Sequence, residues 1–137
     1  MALSSFSIKS SSSDRELVFS EPRKDYFTVE LRGNEPRAIR KVYAYSPHSP
    51  NIAAFFGRLA SYDGPWESVE CWESLEGEFA LSATCSVLGV ITFTLSMHGR
   101  LDSQDKWRIS TTIIVEFGQL PGIASSAEQF FSVVAGT

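Results

Sequence analysis

Apolar and polar residues alternate with a period of two through much of the first third of the chain, the mark of strands that bury one face. Phe6-Ser7-Ile8 opens the pattern and a Ser cluster, Ser10–Ser13, breaks it. Leu17-Val18-Phe19 forms a short second stretch that ends at Pro22. From Tyr26 to Arg32, Phe27, Val29 and Leu31 share one face while Thr28, Glu30 and Arg32 take the other. Gly33-Asn34-Glu35-Pro36 has turn chemistry, and beyond it Ile39, Lys41, Tyr43 and Tyr45 oppose Arg40, Val42 and Ala44. The two stretches predict a hairpin.

After Pro47 the spacing becomes helical. Ile52, Phe55, Phe56 and Leu59 recur on one face, Ser49 or Asn51 is available as the N-cap, Pro50 suits the first turn, and Asp63-Gly64-Pro65 stops the helix. Val69-Glu70-Cys71-Trp72 predicts a short strand. Glu78 to Ser86 turns Phe79, Leu81, Ala83 and Cys85 inward, and after a turn at Gly89 the next strand buries Ile91, Phe93, Leu95 and Met97. Trp107, Ile109, Thr111, Ile113, Val115 and Phe117 then share one face of a further strand, with Trp107 expected in the core. Three such strands in succession predict an antiparallel meander. Ile123, Ala127, Phe130, Phe131 and Val134 return to helical spacing within Gly118–Ala135, and Pro121 stands near the start. The expected architecture is α+β, an antiparallel sheet of about seven or eight strands covered by two helices. One domain spans residues 1–137.

Composition agrees with a single packed core. The 137 residues are 43% hydrophobic and 20% charged, and ten Phe contribute to an aromatic share of 12% that suits a sheet-rich interior. Cys71 and Cys85 lie in no zinc-binding spacing and are expected as buried free thiols. The N-terminal Met1–Ser13 stretch has no basic start followed by an apolar run, and Val87–Met97 is too short to span a bilayer. A cytoplasmic location is the expectation.

Charge is distributed unevenly. The first 58 residues hold nine basic and six acidic side chains, whereas Leu59–Gly99 holds Asp63, Glu67, Glu70, Glu73, Glu76 and Glu78 with no Lys or Arg. With a sequence pI near 5.1 the overall field repels polyanions, which argues against nucleic acid and against an anionic membrane surface as partners. Arg37, Arg40 and Lys41 read as a solvated strand face, since no stacking motif of an RNA-binding sheet accompanies them. The acidic stretch also carries Trp66 and Trp72. It reads either as a solvated face that keeps the protein soluble or as a docking face for a basic protein partner. In the docking reading Asp63, Trp66, Glu67, Glu70, Glu73 and Glu76 form the contact set, with Trp66 as anchor.

Chemistry is harder to find. His48 and His98 are the two histidines, and both read as turn residues. Nucleophile-elbow, phosphate-loop, dinucleotide and H-E-x-x-H motifs are absent from the sequence. The acidic residues have neither the dense spacing of a calcium loop nor a recognisable glycosidase arrangement. No catalytic residue, metal ligand or cofactor is therefore expected.

Several spaced elements in the second half carry a resemblance. They are Trp72-Glu73-Ser74-Leu75-Glu76-Gly77-Glu78-Phe79-Ala80-Leu81-Ser82-Ala83, Gly89-Val90-Ile91-Thr92-Phe93, Trp107, and Val115-Glu116-Phe117-Gly118-Gln119-Leu120-Pro121. Together, over about residues 66–131, they resemble a small uncharacterised bacterial domain family with W-x-x-L-E-G and G-Q-L elements. His is common after the family's strand-opening Gly, and Val90 stands there in this chain. Size, acidity and build also resemble the immunity proteins that neutralise secreted toxins, an analogy at the level of the fold. The resemblance implies a non-enzymatic binding protein that captures a cognate toxin. Two alternatives stand beside it: a small-ligand domain with an apolar pocket lined by the surplus Phe and Tyr, and an enzyme that uses His98 with a nearby carboxylate.

Overall fold

The alternating stretches become eight strands and the two helical stretches become helices. A computed structural model describes residues 3–43, 51–100, 102, 104 and 106–134. In chain order the strands are β1 (Ser5–Lys9), β2 (Glu16–Ser20), β3 (Tyr26–Arg32), β4 (Ala38–Tyr43), β5 (Glu70–Glu73), β6 (Phe79–Cys85), β7 (Val90–His98) and β8 (Arg108–Glu116). Helix α1 (Ile52–Ala60) joins β4 to β5, and α2 (Leu120–Phe131) follows β8 through one 3-10 turn. The α+β class, with eight antiparallel strands and two helices, is as the pattern predicts. The strands divide, however, into two four-stranded meanders in the orders β1-β2-β3-β4 and β5-β6-β7-β8. Helix α1 lies at the break between them, where the hydrophobic period changes.

Local chemistry sets the ends of the helices. Asn51, in extended conformation, accepts the Ala53 N–H on its side-chain oxygen at 2.5 Å and caps α1. Ser49 and Pro50, also candidates for this end, lie outside the described residues. Pro121 sits in the first turn of α2, where its missing N–H costs nothing. Ile52, Phe55, Phe56 and Leu59 of α1 are buried, as are Leu120, Ala127, Phe130 and Phe131 of α2.

Both meanders and both helices bury their apolar faces in one core. Phe19 of β2 is at its centre. Its ring stacks on Phe6 at 4.7 Å and meets Phe27 of the same sheet, Phe79 of the other sheet, Phe56 of α1, and Phe130 and Phe131 of α2. Each fully buried ring of this kind contributes about 1.5–3 kcal/mol from removal of apolar surface alone. The surplus of Phe noted in the sequence therefore fills the interior.

The last strand of the second meander runs past the β1–β2 turn of the first. Ser11 N–H donates to Ile114 O at 2.8 Å, Ser10 Oγ accepts from Ile114 N–H, and the Arg15 guanidinium reaches Thr112 O at 3.2 Å. The Ser-rich turn is thus a cover for the outer edge of β8, which would otherwise present unpaired backbone groups.

Two expectations fail here. Trp107 precedes β8 and is 37% exposed, because at the strand's start the core has already ended and its indole lies against Gly99 instead. Cys71 and Cys85 are free, yet Cys71 is exposed on the outer face of β5 and Cys85 is half-buried where β6 ends.

If one ring joins all four elements, its loss destabilises the whole molecule. Phe19→Ala is expected to cost about 3–5 kcal/mol, read as a lower urea midpoint with both sheets lost in one transition.

Candidate functional site

The short strand β5 forms the outer margin of its sheet, and its parity divides the acidic stretch. Trp72 points inward and is buried, so Cys71 and Glu73 stand on the opposite, solvent-facing side. Asp63, Glu67, Glu73 and Glu76 are exposed, whereas Glu70 and Glu78 are engaged with the protein itself. Exposed apolar side chains flank the acids: Val69 is 58% exposed before β5 and Leu75 is 62% exposed after it. Register adds to the Val69 end. Glu70 pairs with Ala83, which brings the β6–β7 turn, with exposed Val87 and Leu88, to that end of the sheet.

Glu70 is a structural acid. Tyr62 donates its hydroxyl to one carboxylate oxygen at 2.5 Å and the Arg58 guanidinium pairs with the other at 2.9 Å. The Tyr62 hydrogen bond, followed by the Arg58 contacts, holds the Glu70 carboxyl below the ordinary carboxylate range. Donation to that carboxylate in turn pushes the Tyr62 hydroxyl up. Arg58 thereby cancels the charge of Glu70, and the net acidity of the margin rests on its neighbours.

Trp66 is not an exposed anchor. It is 5% exposed, stacks on Tyr62 at 4.8 Å and donates its indole N–H to Ala83 O at 3.4 Å. The Asp63-Gly64-Pro65 turn that ends α1 swings the ring back onto β6. The exposed apolar side chains along this margin include Val69 and Leu75.

A second feature lies where the two meanders meet. A cleft of about 650 Å³ opens between β4, the β5–β6 turn and the segment after β7. Gly77, at φ +74, closes that turn with its N–H on Ser74 O, a conformation that favours glycine. Glu78 is carried into the interior by this turn and is 1% exposed. The Ser74 hydroxyl donates to its Oε1, and the Tyr43 N–H of β4 approaches Oε2 at 3.4 Å. A buried carboxylate requires such donors. Glu78 thus ties the second sheet to the edge of the first, a role that strand alternation alone does not reveal.

Arg40 and His98 complete the base of the cleft. Arg40 donates Nε–H to His98 O at 2.9 Å and Nη1–H to Lys41 O at 2.9 Å. His98 is half-buried, and its Nδ1 lies 2.7 Å from Gly99 O. A carbonyl only accepts, so Nδ1 is the donor in this contact. The ring's hydrogen bond among the described residues is to backbone and not to a carboxylate. His48 lies outside the described residues. Among the described residues no group of three or more His, Cys, Asp or Glu side chains is placed to hold a metal ion, and no helix is long and apolar enough to cross a membrane.

The chain belongs to a family of unknown function (DUF6228), whose sequence profile matches residues 8–134. The match takes in the first meander as well as the second-half elements that carry the resemblance. No curated protein and no solved structure matches the chain.

The Glu70 cluster has a pH signature. A carboxyl held low in the folded protein adds stability above the unfolded value of about 4.3, and that contribution is lost as pH falls through the folded value. Tyr62→Phe is expected to raise the Glu70 titration midpoint, read by carboxyl carbon NMR. At pH 7 it should lower the unfolding midpoint, and the penalty should shrink in acid.

Proposed function

We propose that this member of DUF6228 is a binding protein without a catalytic step, which docks a cationic protein partner along the β5 margin. The observation that carries the reading is the exposure of Asp63, Glu67, Glu73 and Glu76 beside exposed Val69 and Leu75, in a stretch from Leu59 to Gly99 with no Lys or Arg. The carboxylates attract and orient a basic surface, which raises the association rate, while the two aliphatic side chains supply surface for a partner to bury. Trp66 and Glu70 leave the contact set, since one is buried and the other is paired within the protein.

Within that reading the partner is a basic toxin and the protein an immunity-type inhibitor that acts in the cytoplasm. Small size, acidity and an α+β build support this by analogy. An inhibitor of this kind needs complementarity and slow release, and no constellation of reactive groups.

The test is capture from the native host by the tagged protein at low and high salt, with Asp63, Glu67 and Glu73 together replaced by Lys as the control. Glu70 is left in place because its replacement would break the Arg58–Tyr62 cluster, and Glu76 because it lines the cleft. The expected result is one basic protein retained by the native chain at low salt. The triple variant should bind it roughly 100-fold more weakly while keeping the native unfolding midpoint. Equal capture by both forms would remove this margin from the interface.

A further inference from the structure

The cleft between the meanders is bipolar. On the β4 side stands Arg40, beside Lys41 whose ammonium lies 4.5 Å over the Tyr26 ring, and on the side of the β5–β6 turn stand Glu76 and Glu78. At the mouth, Arg100 and Asp102 pair at 2.9 Å and neutralise each other. The volume of about 650 Å³ lies within the range of small-molecule sites. We infer that this cleft binds a small zwitterion, a free α-amino acid, with its carboxylate toward Arg40 and its ammonium toward Glu76 and Glu78.

Three observations fix this chemistry. First, Glu78 is 1% exposed, and its described hydrogen-bond partners, the Ser74 hydroxyl and the Tyr43 N–H, are both neutral. Among the described residues no Lys or Arg forms a salt bridge with it. A buried carboxylate is better satisfied by a cation than by neutral donors alone, and it has acceptor capacity beyond these two bonds. An ammonium group entering between Glu76 and Glu78 supplies that charge. Second, Arg40 is held by its Nε and Nη1 bonds to backbone carbonyls, so its Nη2 donors have a fixed direction. A pre-oriented guanidinium is suited to a carboxylate. Third, the walls carry both signs, Arg40 on one side and Glu76 and Glu78 on the other, which favours a ligand that carries both charges. His98 Nε2, the ring nitrogen outside the Nδ1–Gly99 contact, offers a further hydrogen bond to the ligand's polar groups.

This site is separate from docking. Of the residues assigned to it, Glu76 alone also belongs to the β5 margin, and the Asp63, Glu67 and Glu73 replacements leave the cleft intact, so either reading can fail without the other.

The experiment is titration of the nitrogen-15-labelled full chain with each common free amino acid to millimolar concentration, followed by amide NMR. At least one amino acid should shift the signals of Tyr43, Glu78 and Gly99. Its N-acetyl and its carboxamide derivatives should each bind roughly tenfold or more weakly. The exposed variant Glu76→Gln, which does not touch the core, should weaken binding by a similar factor. Absence of any shift across the whole panel would overturn the proposal. So would an N-acetyl derivative that binds as tightly as its parent, because the acidic wall would then have no part in recognition.

Discussion

The packing of Phe19 against rings from every other layer is the interaction on which the rest of the structure depends. The strands of each four-stranded meander alternate so that one face is apolar, and α1 and α2 each offer a single stripe. The contacts of Phe19 with Phe79, Phe56, Phe130 and Phe131 bring these four incomplete units together. Most of these pairs are edge-to-face, the arrangement that the ring quadrupole favours. Close packing of this kind leaves little freedom for one sheet to slide on the other.

The polar features follow from that constraint. Once the meanders are locked, the edge of β4 lies against the turn that precedes β6, and Glu78 is trapped between them with the Ser74 hydroxyl and the Tyr43 N–H. The same seam opens the bipolar cleft. Farther out, β8 is covered by the Ser10–Arg15 turn, whereas β5 keeps its exposed acids and the flanking Val69 and Leu75. The molecule thus protects one margin of the second sheet with its own backbone and leaves acidic and aliphatic side chains displayed along the other. That contrast is the physical basis for proposing docking on the β5 side.

Much of the fold was legible in the sequence because its strands and helices carry strong, distinct periods. Phe27-Thr28-Val29-Glu30-Leu31 and Ile91-Thr92-Phe93-Thr94-Leu95 bury alternate residues as their patterns require. The division into two sheets was not legible, since period two reports which face is buried but not which strand lies alongside. The site was read less well for a related reason. Trp66 follows a Gly-Pro turn, and only the tertiary path shows that the turn brings it onto β6. Glu78 belongs by composition to the acidic surface, but the positive φ of Gly77 redirects the chain and buries it. Trp107 has the parity of a core residue but stands beyond the covered part of its strand. In each case residue type and spacing were sound and the three-dimensional path of a turn or strand end decided the outcome.

A single core predicts a single unit of opening. Native-state hydrogen exchange, read at the amides of Phe19 and Phe27 in one sheet and of Leu81 and Phe93 in the other, tests this most directly. If Phe19 binds the meanders together, these amides share one opening free energy, and it falls by the same amount in both sheets when Phe19 is replaced by Leu. Retention of full protection in β6 and β7 while β2 and β3 lose theirs would show two independently stable sheets and would contradict the account.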